Sequence, residues 1–321
     1  MIPYGRQDIQ QADIDAVVEV LQSDFLTQGP IVPAFEEGVA QFVGAAYGVA
    51  VNSATSALHI ACLALGLMPG DLLWTSPITF VASANCGVYC GADIDFVDID
   101  PNTYNMSPQR LSEKLEIADR EGRLPKIIVA VHMTGRSCDM QKIGELAAQY
   151  GVRLIEDSSH AIGGKYQNAM IGCCAYSDIS VFSFHPVKII TTAEGGMAMT
   201  NNREIAERME LLRSHGITRD PDLMTNAPDG SWYYQQITLG WNYRMTDIQA
   251  ALGLSQLKRV DAAVQKRNAL ADRYDEAFQS AELSMPIRGG DYYSAFHLYV
   301  IQLADQTRQR EVFEQLRASG I

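Results

Sequence analysis

The stretch VFSFHPVKIITTAEGGM, Val181 to Met197, places one lysine between an apolar, strand-like run and a turn with two threonines, one acid and two glycines. A solvated loop lysine is the ordinary reading of Lys188, since lysines are mostly exposed. Its surroundings in the rest of the chain give it a different setting.

Short apolar runs alternate with helical patterns through the first two hundred residues. Asp13 to Gln22 and Ser56 to Leu67 read as helices, DLLWTS as a strand, Phe80 to Tyr89 as a helix and IDFVDI as a strand. KIIVAVHM, VRLIED, ISVFSF and GMAMTN read as further strands, with Met140 to Tyr150 and Arg203 to Arg213 as helices. Such alternation predicts an α/β fold, a mostly parallel central sheet flanked by helices. Beyond the polar segment from Ile217 to Tyr234, one long proline-free helix is expected from Thr246 to about Gln279. SAFHLYVIQL then reads as a strand and QREVFEQLRASGI as a helix. Residues 1–245 are therefore expected to form a large domain, and residues 246–321 a smaller C-terminal α/β domain with which the first dozen or so residues pack.

Composition narrows the class. The chain has 321 residues, 47% hydrophobic and 20% charged, as in a globular protein. Its formal net charge of −13 argues against nucleic acid or an anionic membrane surface as partner. Between Glu37 and Asp71 no Asp, Glu, Lys or Arg occurs, but Asn52, Ser53, Thr55 and Ser56 interrupt the stretch. A buried helix and strand fit it better than a membrane span. The opening MIPYGRQDIQQ lacks the pattern of a secretory signal. Six cysteines at 62, 86, 90, 138, 173 and 174, without C-x-x-C spacing, suggest neither a metal site nor a disulfide framework, and a cytoplasmic location is expected.

In an open parallel sheet, ligands bind beyond the carboxyl ends of the strands. In VAVNSATSALH, the Ser53 and Thr55 hydroxyls and the first N–H groups of a helix could cradle a phosphate; ordinary N-capping is the alternative. Phe80, in SPITFVASAN, could stack on a flat heterocycle or simply pack in the core. In VRLIEDSSHAIGG, Asp157 closes a strand and His160 follows; the carboxylate could face a protonated ring nitrogen, or serve a cap or an ion pair. Ser183 can donate to phosphate, and the Lys188 amine can condense with an aldehyde. Together these are the requirements of pyridoxal 5′-phosphate (PLP).

The segments IPYGRQDI, SDFLTQGP, NSATSALH, SPITFVASAN, VDIDPNTYNM, FSFHPVKIITTAEGG, LLRSHGITRD and NYRMTDIQAALGLSQLKR resemble the sugar aminotransferases of the DegT/DnrJ/EryC1/StrS family, a branch of the fold-type I PLP enzymes. Nearest is the subgroup acting on a UDP-linked 4-keto-6-deoxy amino sugar, a pseudaminic acid precursor. The resemblance implies amino transfer from L-glutamate to the 4-keto group, with the cofactor cycling between PLP and pyridoxamine 5′-phosphate. It implies that Lys188 is the Schiff-base lysine, that Asp157 pairs with the pyridine nitrogen and that His160 bonds the phenolate oxygen. Phe80 then stacks on the ring, while Ala54, Thr55 and Ser183 contact the phosphate. Asn242 matches an asparagine that reaches the neighbouring subunit's phosphate, implying a homodimer with shared active sites. Tyr4 and Asp24, Phe25, Leu26 and Thr27 match segments lining the nucleotide-sugar site. Family members usually continue past a segment like RASGI, so an incomplete small domain is expected. A relative aminating a different nucleotide sugar, or a PLP-binding regulator without turnover, are the alternative readings. Arg6, Arg213, His215, Arg219 and Arg244 are candidate cations for the diphosphate or donor carboxylate. His132, at a strand end, could touch the site or be a hydrogen-bonded structural histidine, and His59, on an apolar helix, reads as a core residue.

Overall fold

The computed structural model describes residue 2 and residues 5–321. Seven strands form its central sheet: β1 (Tyr47–Val51), β2 (Leu72–Thr75), β3 (Asp93–Phe96), β4 (Ile127–Val131), β5 (Arg153–Asp157), β6 (Ile179–Ser183) and β7 (Gly196–Thr200). Their order is β1-β7-β6-β5-β4-β2-β3. Only β7 runs against its neighbours, pairing antiparallel with both β1 and β6, while β6, β5, β4, β2 and β3 are mutually parallel. The carboxyl ends of β1, β6, β5, β4 and β2 therefore share one edge with the start of β7.

The described residues also form ten α-helices: α1 (Gln11–Leu21), α2 (Ile31–Val43), α3 (Ala54–Ala64), α4 (Ala82–Tyr89), α5 (Pro108–Arg120), α6 (Met140–Tyr150), α7 (Arg203–Arg213), α8 (Asp247–Leu257), α9 (Val260–Phe278) and α10 (Gln309–Ala318). Strand β4, IIVAV, shows why the sheet is covered twice. Ile127 and Val129 join the core under α3 and α7, whereas Ile128 and Ala130 join the core under α5 and α6. A period-two strand with every residue apolar has no face to give to water. A third core gathers Phe35 and Val39 of α2, Phe182 and Met197 of the sheet, and Val260 and Val264 of α9.

Two helices escape the sequence reading. Helix α5 is largely polar, with only Leu111, Leu115 and Ala118 buried, although Ser107 caps it by accepting from the Arg110 N–H and Pro108 follows. Helix α2 begins after Pro30, which has no side chain that could cap it. The single long helix expected from Thr246 to Gln279 is instead broken between Leu257 and Val260. Polar residues at the break turn toward buried Asp13 of α1, which accepts from Ser255 Oγ at 2.7 Å, Arg259 Nη2 at 2.7 Å and Gln256 Nε2 at 3.3 Å. The strand expected over SAFHLYVIQL is also corrected. Only Gln302–Leu303 pairs, with Leu283–Ser284, because Phe296 turns the backbone into the left-handed region at φ 44°.

Helix α8 packs on α1 and α2, and its first residue ties the chain together over a long span. The fully buried Asp247 carboxylate accepts from the N–H groups of Gly29 (2.7 Å), Ile31 (2.9 Å) and Val32 (3.0 Å), the last two in the first turn of α2. Its own N–H donates to the Leu26 carbonyl. Among the described residues, no helix is long and apolar enough to cross a membrane.

Replacing Asp247 with alanine leaves three N–H groups without their charged acceptor. The expected cost is about 3 kcal/mol or more, visible as a melting temperature lower by several degrees. Asp247→Asn, which keeps one carbonyl acceptor, should fall between. An Asp247→Ala melt indistinguishable from the parent would mean that water replaces the carboxylate.

Candidate active site

The composition of the turn after β6 has a structural explanation. Phe184 donates its N–H to the Gly195 carbonyl at 2.9 Å, and its own carbonyl accepts from Thr192 N at 2.9 Å and Thr191 Oγ1 at 2.8 Å. Thr191 Oγ1 also accepts from the Ala193 N–H, and Thr192 Oγ1 donates to the Glu194 carbonyl. Helix α8 braces this loop from outside: Gln256 Oε1 accepts the Thr191 N–H at 3.0 Å, and Gln249 Nε2 donates to the Glu194 carbonyl at 2.9 Å. The threonine hydroxyls thus close a loop that carries Lys188 at a defined place. Lys188 is partly buried. Burial holds its ammonium pKa below the ordinary lysine range, and the Asp157 charge acts the other way.

Asp157, at the end of β5, is 5% exposed. It accepts from Ser83 Oγ at 2.6 Å and from the Ser159 N–H at 3.1 Å. Half-buried His160 stands in the same field: burial and then the Lys188 charge push its pKa down to about 4, against the pull of Asp157. Asp157 and His160, three residues apart, and Lys188, from the loop after β6, therefore form one electrostatic cluster.

The antiparallel strand β7 joins this cluster to α3. Gly196, its first residue, pairs with Val51 on one side and Ser183 on the other. A Cβ at Gly196 would lie 2.5 Å from Ala54 N and 2.6 Å from Ala54 Cα and Ser53 C. Only glycine permits that contact of backbone with backbone. Ser53 is the N-cap of α3, its Oγ accepting from the Ser56 N–H, so its capping and cradle readings share one position.

Phe80 is 71% exposed and is not a core residue. Ser83, three residues on, links this turn to Asp157 and shares a 2.7 Å hydroxyl contact with Thr79. The sequence reading did not single out Ser83, although its spacing from Phe80 by nearly one helical turn was a usable signal.

The remaining candidates divide. Asn242 is exposed, and its carbonyl accepts from Asn52 Nδ2 at 3.4 Å beside the end of β1. Asp24, Phe25, Leu26 and Thr27 are exposed in a loop bound to Thr246 and Asp247; no hydrogen bond among the described residues joins them to Lys188 or Asp157. Tyr4 lies outside the described residues. Arg213 is committed to Glu36 and the Ala50 carbonyl, which removes it from the candidate anion binders, and Arg219 lies over the Tyr234 ring. His132 is structural: its Nδ1 faces the Cys138 N–H at 3.1 Å and its Nε2 bonds the Glu156 carboxylate at 2.7 Å. Lys188 borders a cavity of about 430 Å³ lined also by Arg6, Arg259, Lys266 and Arg267, a local concentration of cations in an acidic protein. A larger cavity, about 650 Å³, lies elsewhere, around Arg136 and Tyr292.

A partly buried amine, a carboxylate fixed by two donors, a glycine-permitted cradle at a helix N-terminus and an exposed aromatic ring fit a flat, phosphorylated heterocycle. Comparison with known proteins agrees with that chemistry. The chain is 39% identical over 324 residues to a UDP-4-amino-4,6-dideoxy-N-acetyl-beta-L-altrosamine transaminase of Campylobacter jejuni, covering 100% of this chain and 82% of that protein. Helicobacter pylori PseC, an aminotransferase involved in the biosynthesis of pseudoaminic acid, superposes with a TM-score of 0.89 at 34% identity, over 99% of this chain and 82% of its own. A putative sugar aminotransferase of Streptococcus pneumoniae, Spr1654 in its PMP form, superposes at 0.90 with 28% identity, over 100% of this chain and 84% of its own. The DegT/DnrJ/EryC1/StrS aminotransferase family model matches residues 7–321, and the chain belongs to that family.

Proposed function

We propose that this protein binds PLP and transfers an amino group from L-glutamate to the 4-keto carbon of a UDP-linked 4-keto-6-deoxy amino sugar, a precursor of pseudaminic acid, as a homodimer with shared active sites. One observation carries the reading: the partly buried Lys188 amine shares the sheet edge with Asp157 and with the contact between Gly196 and the α3 N-terminus. The substrate class is supported by likeness to the Campylobacter transaminase and to PseC.

Bound here, PLP supplies an electron sink for the carbon–hydrogen bond beside an amine. The chain's own groups do the rest. Lys188, its amine kept basic but less protonated by burial, takes the proton from the donor's α carbon and later delivers one to C4 of the sugar. Asp157, oriented by Ser83 and the Ser159 N–H, keeps a proton on the ring nitrogen. Ser53, Ala54, Thr55 and Ser183 hold the phosphate, Phe80 covers the ring and His160 donates to the ring oxygen. Asn242 reaches the partner subunit's phosphate, and Tyr4 with Asp24–Thr27 lines the nucleotide-sugar side. Residues 1–245 act as the large domain and residues 246–321 as part of the small one.

Borohydride treatment after PLP addition should leave the cofactor mass on the peptide containing Lys188, and Lys188→Ala should lose both the label and about a thousandfold or more of transamination. The rate of PLP addition should rise with pH and level off below the free-lysine value of about 10.4, because only the unprotonated amine attacks. Label on any other lysine would sink the assignment. Gly196→Ala should displace the α3 N-terminus and weaken PLP binding about tenfold or more, since overpacking commonly costs about 1–3 kcal/mol; unchanged affinity in a PLP titration would remove this cradle from the site. On a panel of nucleotide keto sugars with glutamate, amination should be fastest with the UDP-linked 4-keto-6-deoxy amino sugar. Turnover confined to GDP- or dTDP-linked sugars would reassign the substrate, and a glutamate half-reaction with no sugar turnover would favour a regulatory protein.

A further inference from the structure

The ring of His160 does not stand alone. His297, from the loop following the Tyr292–Tyr293 strand, lays its ring on that of His160 with centroids 4.3 Å apart and planes tilted by 36°. His297 is 9% exposed, and the Nδ1 atoms of both rings are buried without a partner among the described residues.

The backbone that brings His297 there is held in a demanding shape. Phe296 lies at φ 44° and Thr134, across from it, at φ 65°. Such conformations persist in non-glycine residues only when their surroundings over-determine them. Here Ala295 N donates to the Gly135 carbonyl and Leu298 N to the Thr134 carbonyl. Arg267 of α9 donates to the Phe296 carbonyl at 3.0 Å and the His297 carbonyl at 3.3 Å. Gly135, at φ 107°, leaves no room for a side chain: a Cβ would lie 2.9 Å from both the His160 carbonyl and Phe296 N. The Gly135 loop is thus clamped between the two histidine segments.

We propose that His297 is a positioning residue of this site, whose packed ring holds His160 in one orientation and in its neutral, Nε2-protonated form. The buried Nδ1 of His160 has no acceptor, so the ring proton belongs on Nε2, since a buried N–H without a partner is the rarer and costlier fault. The charged groups around the pair weigh against a second proton: Lys188 from the loop after β6 and Arg267 from α9 oppose it, while Asp157 at the end of β5 acts the other way on His160. A neutral His160 gives Lys188 no competing cation and keeps one N–H to donate to an anionic ring oxygen. This role rests on the functional reading above, whereas the state of the His160 ring does not.

The test is a titration of histidine-labelled protein by nitrogen NMR, before and after PLP addition. In the parent, His160 should remain an Nε2–H tautomer down to the neighbourhood of pH 4. In His297→Ala, water enters, and the midpoint should rise by at least one pH unit toward the ordinary value of about 6.5, with mixed tautomers. His297→Phe keeps a packed ring without nitrogens and should restore the parent behaviour, in the ring signals and in the acid limb of the half-reaction with glutamate. It also secures the experiment if the alanine variant does not fold. An unchanged His160 midpoint and tautomer in His297→Ala overturns the proposal, as does failure of His297→Phe to restore them. A parent protein that takes up no PLP would refute the function while leaving the apo titration to decide this point.

Discussion

A lysine amine held largely out of water beside a single carboxylate is the constraint around which this molecule is arranged. Burial disfavours the ammonium and the neighbouring carboxylate favours it; burial weighs more, so the pKa of Lys188 lies below the ordinary lysine range. That setting needs a loop that does not relax into solvent. The loop is closed by Thr191 and Thr192 hydroxyls and braced by Gln249 and Gln256 of α8. Polar residues that look like loop filler are in this way part of the support for the amine.

The same coupling recurs across the edge. Ser83 on α4 orients Asp157 and fixes the turn that carries Phe80. Gly196 lets β7 lie against the α3 N-terminus, joining the Ser53 segment to Ser183 through paired strands. Asp247 anchors the Gly29–Val32 turn to α8, and Asp13 anchors α1 to the break between α8 and α9. Ser83, Asp247 and Asp13 are buried polar groups whose partners lie on another element, an arrangement stable only when every donor is matched. The site thus has a second layer that reaches from α1 to the break between α8 and α9.

Much of this was legible from residues alone. Alternating apolar runs and helical periods marked all seven strands of the sheet, because a strand buried on both faces reads as an uninterrupted apolar run, as IIVAV does. Asp157, Ser183 and Lys188 could be found because strand ends in an open parallel sheet are where ligands bind. Helix α5 was missed since its hydrophobic face is only three buried residues wide. The break after α8 was missed because no proline or glycine marks it; Asp13, far away in sequence, does.

Local pattern, then, determined the fold class, the sheet and which side chains are candidates at its edge, because backbone geometry and burial leave their periods in the chain. Tertiary structure alone decided which of those groups meet and in what state. Nothing in SAFHLYVIQL announces that Phe296 turns left-handed and sets the His297 ring on His160, or that Gly196 must be bare to let Ala54 approach. Those facts depend on contacts between segments far apart in sequence, whose distances and desolvation do not exist until the chain has closed on itself.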